Sequence, residues 1–351
     1  MEIFKVRLTT LTPIHIGTGL CIEPTDFFVD TNKRCLHVVD FEKLCSHLTK
    51  EEIETFKRIC LEGDRGIIKL YDFMDKISKR VIRTADKALI KTTIPVSRDF
   101  IIHYTKREHF NRFEILRTYR LSEWGRPIIP GPSVKGAIRT AILNYIAKRL
   151  RDKNPSKYLL KNKKYDSRQL ERDLLRYTSP QNDPFSTLKI SDFHPTKAKI
   201  RILYAINVRK DGKEGSGPYQ ILEVIMPDSV FTGKITIVEK EGCKKITKRL
   251  ILESLDCFYS KVFDEESKIV KKITEVNMPA VKKGFSLIRL GKHSGAESVT
   301  IEGFRAIRVR KQGGRTLTSQ HATTLWLASE SRKKESCGKI YSFGWAVIGV
   351  V

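Results

Sequence analysis

Negative charge is scarce in this chain. Only 40 Asp and Glu stand against 66 Lys and Arg in 351 residues, a formal net charge of +26 at pH 7. A field of that sign attracts polyanions and favours a nucleic acid or an acidic partner over a small neutral substrate. Long apolar runs are absent: the stretch around Val347-Ile348 falls far short of a membrane span, so no membrane partner is expected. Met1-Glu2-Ile3-Phe4-Lys5 enters a strand-like pattern directly, without the basic and apolar regions of a secretory signal. The seven cysteines, Cys21, Cys35, Cys45, Cys60, Cys243, Cys257 and Cys337, are odd in number and contain no Cys-x-x-Cys. That argues for reduced thiols in a cytoplasmic protein. Cys35-Leu-His37 and Cys45-Ser-His47 come nearest to a metal cluster. The first pair shares a strand face, whereas the second sits in a helical pattern where residues two apart diverge, so no zinc is expected.

Catalytic signatures are missing as well. There is no His-Glu-x-x-His, no Gly-x-Ser-x-Gly, and no spacing of Asp26, Asp30 and Asp192 that suits a two-metal site. Gly17-Thr18-Gly19 follows a strand but has Ile22 where a dinucleotide fingerprint needs glycine. Gly131-Pro-Ser-Val-Lys-Gly136 has phosphate-loop glycine spacing, but Ala137 and Ile138 replace the required Lys and Ser or Thr, so NTP hydrolysis is rejected and no cofactor is expected.

What the chain does contain is alternating α and β pattern. Glu2 to Leu11 alternates as a strand, and Asp26 to Asp30 with Cys35 to Val39 read as a hairpin. Asp40 and the Thr49-Lys-Glu-Glu box are helix starts, and Thr49 to Thr92 reads as helical. A rigid loop, Trp124 to Ser133, runs into the clearest helix, Ser133 to about Arg151. Strands return from Thr187 to Glu239. Two helical stretches follow, Lys245 to Phe263 and Glu265 to Val276, and a glycine-bearing β tail ends the chain. The order predicts two α+β domains with a boundary near residue 240.

Two basic glycine loops are the candidate binding elements. At the first, free amides beside Gly131 and Ser133 and the helix dipole attract an anion, with Lys135 and Arg139 four apart on one face. The plainer reading is a shaped turn beside a solvated basic face. The second is Gly291-Lys292-His293-Ser294-Gly295, flanked by Arg289 and followed by Arg305, Arg308, Arg310 and Lys311; its plainer reading is a hairpin turn. His15 and His293 are the histidines of glycine-bearing loops. They fall in different predicted domains, and no feature of the sequence brings them together as an acid–base pair. Tyr104, Phe110, Tyr119 and Trp124 are aromatics available for base stacking.

Leu11-Thr-Pro-Ile-His-Ile-Gly-Thr-Gly19 resembles the amino-terminal signature of the RAMP superfamily of CRISPR proteins. Ile129-Pro-Gly-Pro-Ser-Val-Lys-Gly-Ala-Ile-Arg-Thr-Ala141 is similar to its second signature, with Pro132 in place of the usual Ser, and Asp183 to Asp192 is similar to the strand that follows. Phe285 to Ala296 and Ser342-Phe-Gly-Trp345 resemble the type III-A Csm subunits that cap the 3′ end of the guide RNA. The resemblance implies two ferredoxin-like (RRM-like) RAMP domains, residues 1–240 with a helical insertion at about 41–120 and residues 241–351. It also implies a non-catalytic subunit needed for crRNA maturation, with the crRNA and the backbone and small subunits of the Csm complex as partners and target RNA nearby. The RNA-binding residues expected on this basis are His15, Gly17, Gly19, Gly131, Ser133, Lys135, Arg139, Arg289, Lys292 and His293. The target-cleaving aspartate of the backbone subunit does not carry over, because Glu23-Pro24-Thr25 before Asp26 does not reproduce its loop. The alternatives are a RAMP endoribonuclease acting on CRISPR precursor RNA, through His15 or His293, and another RAMP subunit holding the 5′ tag.

Overall fold

The computed structural model describes residues 1–351 except 85–86, 108–112, 154–166, 214, 216, 311–315 and 334–338. Phe110, Lys311 and Cys337 therefore lie outside the described residues, as does much of the basic stretch between residues 148 and 176.

The alternation of Glu2–Thr10 buries Val6, Leu8 and Thr10 and leaves Lys5 and Arg7 exposed. This strand is central in an antiparallel sheet. Its order is Ser286–Arg289, Trp345–Val350, Glu2–Thr10, Val230–Ile237 and Leu188–Ile190, with His194–Lys197 also pairing to Val230–Ile237. Leu8 stands opposite Phe231 on one side and Ile348 on the other. The boundary expected near residue 240 thus falls inside one layer, because strands from both ends of the chain flank the same central strand.

Two helices cover this sheet, Gly131–Lys153 and Lys248–Thr274. In the first, Val134, Ala137, Ile138, Ala141 and Ile142 are buried; its small alanines permit close approach. The two stretches expected on either side of Asp264 form one 27-residue helix, capped by Thr247 Oγ1, which accepts from the Leu250 amide at 3.1 Å. The apolar stripe does not break at Glu266, which is buried and ion-paired to Arg289. Leu255 and Tyr259 join the core of the first sheet, while Val270 and Ile273 join that of the second, so this helix ties the two cores together.

The second sheet has the order Ile340–Ser342, Thr324–Ser329, Ile200–Arg209, Gln220–Ile225, Ile115–Thr118 and Gly17–Ile22. Ile200–Arg209 is nearly continuously apolar because both its faces are covered: Leu203 and Ala205 pack with Phe343, Ile202 and Tyr204 with Phe100 and Phe113. The expected insertion is helical at Phe41–Ser46, Lys50–Leu61, Ile67–Thr84 and Arg98–Lys106, with the Asp40 cap and the Thr49 capping box formed. Ile90–Pro95 is not helical. Its exposure alternates and it pairs with Cys35–Val39, which in turn pairs with Phe27–Asp30. Ile115–Thr118, placed in the insertion by sequence, belongs to the second sheet. No helix of the described residues is long and apolar enough to cross a membrane.

Candidate nucleic-acid interface

Thr12 to Ile16 carries the chain from the first sheet into the second. The Thr12 hydroxyl accepts from the Trp345 amide at 2.9 Å, and Ile14 pairs with Ile225. His15 is 1% exposed, and its Nδ1–H donates to the Glu223 carbonyl at 2.8 Å. The fully buried Glu223 carboxylate accepts from the Thr118 amide at 3.1 Å and is ion-paired with Arg120. Glu223 therefore anchors the ring through its backbone and the adjoining strand through its side chain. Gly17 and Gly19 emerge beyond this anchor as exposed backbone. A Cβ at Gly17 would lie 3.1 Å from His15 Nε2, while Gly19 (φ +84°) has open space around it.

The second glycine loop sits directly on the first. Lys292 N–H donates to the His15 carbonyl at 2.8 Å. Gly291, with φ +83°, approaches so closely that a Cβ would lie 2.3 Å from that carbonyl oxygen. His293 adopts φ +66° and packs against Trp326 and Phe343, with ring centroids 4.6 and 5.2 Å away. Burial, then the charge of Lys292, then His15 push the His293 imidazole down to about 3, and its Nε2 is buried without a hydrogen-bond partner. Burial likewise lowers the His15 imidazole, against the pull of the Glu223 carbonyl. The two histidines that sequence assigned to separate domains are thus neighbours beneath the loops, both held neutral. Above them stand Gly17, Gly19 and the exposed Lys292, whose ammonium donates to Gln220 Oε1 at 3.1 Å.

The helix-start residues behave differently from expectation. The Gly131 amide is not free: it donates to Asp192 Oδ1 at 2.8 Å, Pro132 has no N–H, and the Ser133 amide donates to the Pro130 carbonyl at 3.0 Å. A Cβ at Gly131 would lie 2.3 Å from the Ile190 carbonyl oxygen, so this glycine serves packing of helix on strand. Lys135 Nζ donates to the Leu188 carbonyl at 2.8 Å; burial lowers its pKa, with Lys189 adding to the effect. Arg139 is ion-paired with Glu171 and with Asp183 (2.9 Å), its guanidinium 4.5 Å from the Phe185 ring. The Lys135–Arg139 face is a clasp onto residues 171–190, not a solvated strip.

Arg289 is also committed inward. It is 4% exposed, ion-paired with Glu266, donates to the Phe343 carbonyl (3.0 Å) and Ser298 Oγ (3.1 Å), and lies over the Trp345 ring at 4.7 Å. Of the expected aromatics, Tyr104 is buried and Tyr119 is 42% exposed beside the first loop. Trp124 lies under the Arg117 guanidinium at 3.9 Å. His37, from the nearest approach to a metal cluster, has Nδ1 2.8 Å from Thr93 Oγ1, and no group of three metal-ligating side chains occurs among the described residues.

Sequence reasoning missed a basic cleft of about 1010 Å³, lined by Trp124, Arg126, Lys199, Arg201, Asp228, Lys339 and Tyr341 among others. These positions are scattered over more than two hundred residues, and only the rigid Trp124-Gly-Arg-Pro loop gave a local signal.

Against known proteins, the RAMP superfamily profile matches residues 7–296. A curated relative from Methanocaldococcus jannaschii, "CRISPR system Cms protein Csm5", is 27% identical over 254 residues, covering 70% of this chain and 55% of the relative. Its counterpart from Enterococcus italicus is 28% identical over 152 residues, 40% of this chain and 43% of the relative. The matches therefore span about half the length of these relatives. A chain of a cryo-EM Csm–crRNA–target RNA ternary complex of a type III-A CRISPR-Cas system aligns over 99% of this chain and 100% of its own, with TM-score 0.65 and 21% identity. The T. onnurineus Csm5 crystal structure aligns over 97% and 99%, with TM-score 0.56 and 18% identity.

Proposed function

The chain belongs to the RAMP superfamily, and on that footing we propose that it is a non-catalytic crRNA-binding subunit of a type III-A Csm effector complex. In this reading it caps the 3′ end of the guide, is needed for crRNA maturation, and works in the cytoplasm beside the backbone and small subunits, with target RNA nearby. The observation that carries the reading is the junction of the two glycine loops. The Lys292–His15 hydrogen bond fuses them into one surface, where glycine backbone and a cation meet solvent above the buried His15 ring. Backbone that comes close to a strand, with a cation beside it, suits phosphate contact without base reading. The named relatives and the ternary-complex chain support the assignment to a Csm particle. The order of the first sheet, with Glu2–Thr10 between Trp345–Val350 and Val230–Ile237 and two helices on one face, fits a ferredoxin-like unit closed by both chain ends. We read the second sheet as the companion RRM-like layer.

The meeting of His15 and His293 gives the endoribonuclease alternative its one structural point. Proton transfer requires a ring that reaches substrate, whereas His15 is buried with Nδ1 committed to the Glu223 carbonyl. Titrating RNA into the purified full chain between 50 and 200 mM salt, in the range where phosphate contacts dominate, tests the reading. Sequence-tolerant, salt-sensitive binding without cleavage of repeat RNA is expected. Metal-free cleavage that is lost in His15→Ala, or absence of RNA binding both alone and in the assembled complex, would overturn it.

A further inference from the structure

A second cavity, of about 500 Å³, adjoins the basic cleft and shares Pro227, Asp228 and Tyr341 with it. Its walls are largely apolar, drawn from Leu11 just after the strand Glu2–Thr10, Val347 on the first sheet, Met278 and Phe285 of the segment after the long helix, and Val270 of that helix. Arg7 and Lys282 supply positive charge at its lining. The cleft and the chamber abut at the three shared residues, so that an RNA end could run through both as one channel. Its open part carries Arg126, Lys199 and Lys339, and its enclosed part is apolar and of a size that holds a nucleotide-sized ligand.

Asp228 stands where the two parts meet. It lies at the crossing from the strand Gln220–Ile225 of the second sheet to Val230–Ile237 of the first, with φ +61° and its amide donating to the Thr10 carbonyl at 2.9 Å. A carboxylate in a cleft that also carries cations is the wrong group for a phosphate but the right one for hydroxyls: two acceptor oxygens match the two O–H donors of a cis-diol. In an RNA strand only the 3′-terminal ribose carries a free 2′,3′-diol. We infer that this channel receives the 3′ end of an RNA strand, with its last base in the apolar chamber, its preceding phosphates along Lys199, Arg126 and Lys339, and its terminal diol on Asp228. The site therefore selects a 3′-hydroxyl end over a 3′-phosphate end. This rests on the crRNA-binding reading and adds to it where the end sits and which end chemistry is accepted.

The probes are 5′-labelled RNAs of about ten nucleotides, within the span that a single-strand-binding OB fold covers, ending in a 3′-hydroxyl or a 3′-phosphate and bound to the full-length chain in an anisotropy titration. The wild-type chain is expected to prefer the hydroxyl end by about tenfold, the scale of one close like-charge contact that is largely screened by water. Asp228→Asn keeps the shape and tolerates the left-handed backbone, and it should bring the two ends within about twofold of each other. Lys199→Ala should weaken both ends equally and lower the salt slope by about one. Binding that ignores the end chemistry in the wild-type chain, or discrimination that survives in Asp228→Asn, overturns the channel assignment and leaves RNA binding standing. Absence of binding to either RNA, in the chain alone and again in the assembled complex, overturns the crRNA-binding reading itself.

Discussion

Replacing Arg289 by methionine should destabilise the protein without changing how its RNA affinity responds to salt. The guanidinium is buried, ion-paired to Glu266 of the long helix, and linked to the Phe343 carbonyl and Ser298. Glu266 is itself 7% exposed and also accepts from Trp345 Nε1 at 3.0 Å and from Ser342 Oγ. Methionine fills much of the volume but leaves this carboxylate buried with two neutral donors and no cation. Breaking a buried pair in this way costs about 3–5 kcal/mol, against a total stability of about 5–15 kcal/mol for an ordinary domain. Urea unfolding should show a clearly lowered midpoint with an unchanged slope in denaturant. The Arg289→Met/Glu266→Gln double variant should recover part of the loss, since the uncompensated charge is gone. A single variant with wild-type unfolding but a salt slope of RNA binding reduced by about one would refute the reasoning and return Arg289 to the RNA surface.

Four further outcomes follow from the same geometry. Arg139→Ala, which unpairs the partly buried Glu171 and Asp183 (side chains 24% and 19% exposed), should lower stability by roughly 1 kcal/mol and leave the RNA salt slope unchanged, as read by parallel melting and titration. Lys292→Ala should do the reverse, leaving melting near wild type and lowering the salt slope by about one. Gly291→Ala should separate the two loops, because its Cβ collides with the His15 carbonyl in a left-handed backbone; a loss of roughly 2–3 kcal/mol is expected, larger than for Gly19→Ala, whose surroundings are open. His293 and His15 bind protons less readily folded than unfolded, so stability is full above pH about 6.5 and falls as pH drops toward the folded value of about 3 for His293. In urea titrations across that window, His293→Asn, which accepts the positive φ, should lessen the fall by up to ~1.4 kcal/mol per pH unit.

Elements whose cause is local were legible in the chain. The period-2 alternation of Glu2–Thr10, the Asp40 and Thr49 caps and the apolar stripe of the Gly131–Lys153 helix all appear where their residues dictate. What lies opposite a face is not local. Lys135 and Arg139 share a helical face, but only the fold supplies the Leu188 carbonyl, Glu171 and Asp183 that cover it. Arg289 sits in a basic loop sequence, yet its partner is 23 residues earlier on a helix whose apolar stripe conceals a glutamate. The same holds for the meeting of His15 with residues 291–293, a contact across nearly three hundred residues. The Asp228 channel, assembled from both sheets and the segment after the long helix, has no contiguous signature at all.

The central claim is positional, that this RAMP chain holds the 3′ end of the guide. Photoreactive nucleotides placed one at a time along the crRNA of the assembled complex test it most directly, with the crosslinked residues of this chain then mapped by mass spectrometry. The account predicts crosslinks confined to the 3′ end, at Gly17–Gly19, Lys292 and the surroundings of Asp228 and Tyr341. Crosslinks near the 5′ tag with none in the 3′ half would contradict it and favour the subunit that holds the tag.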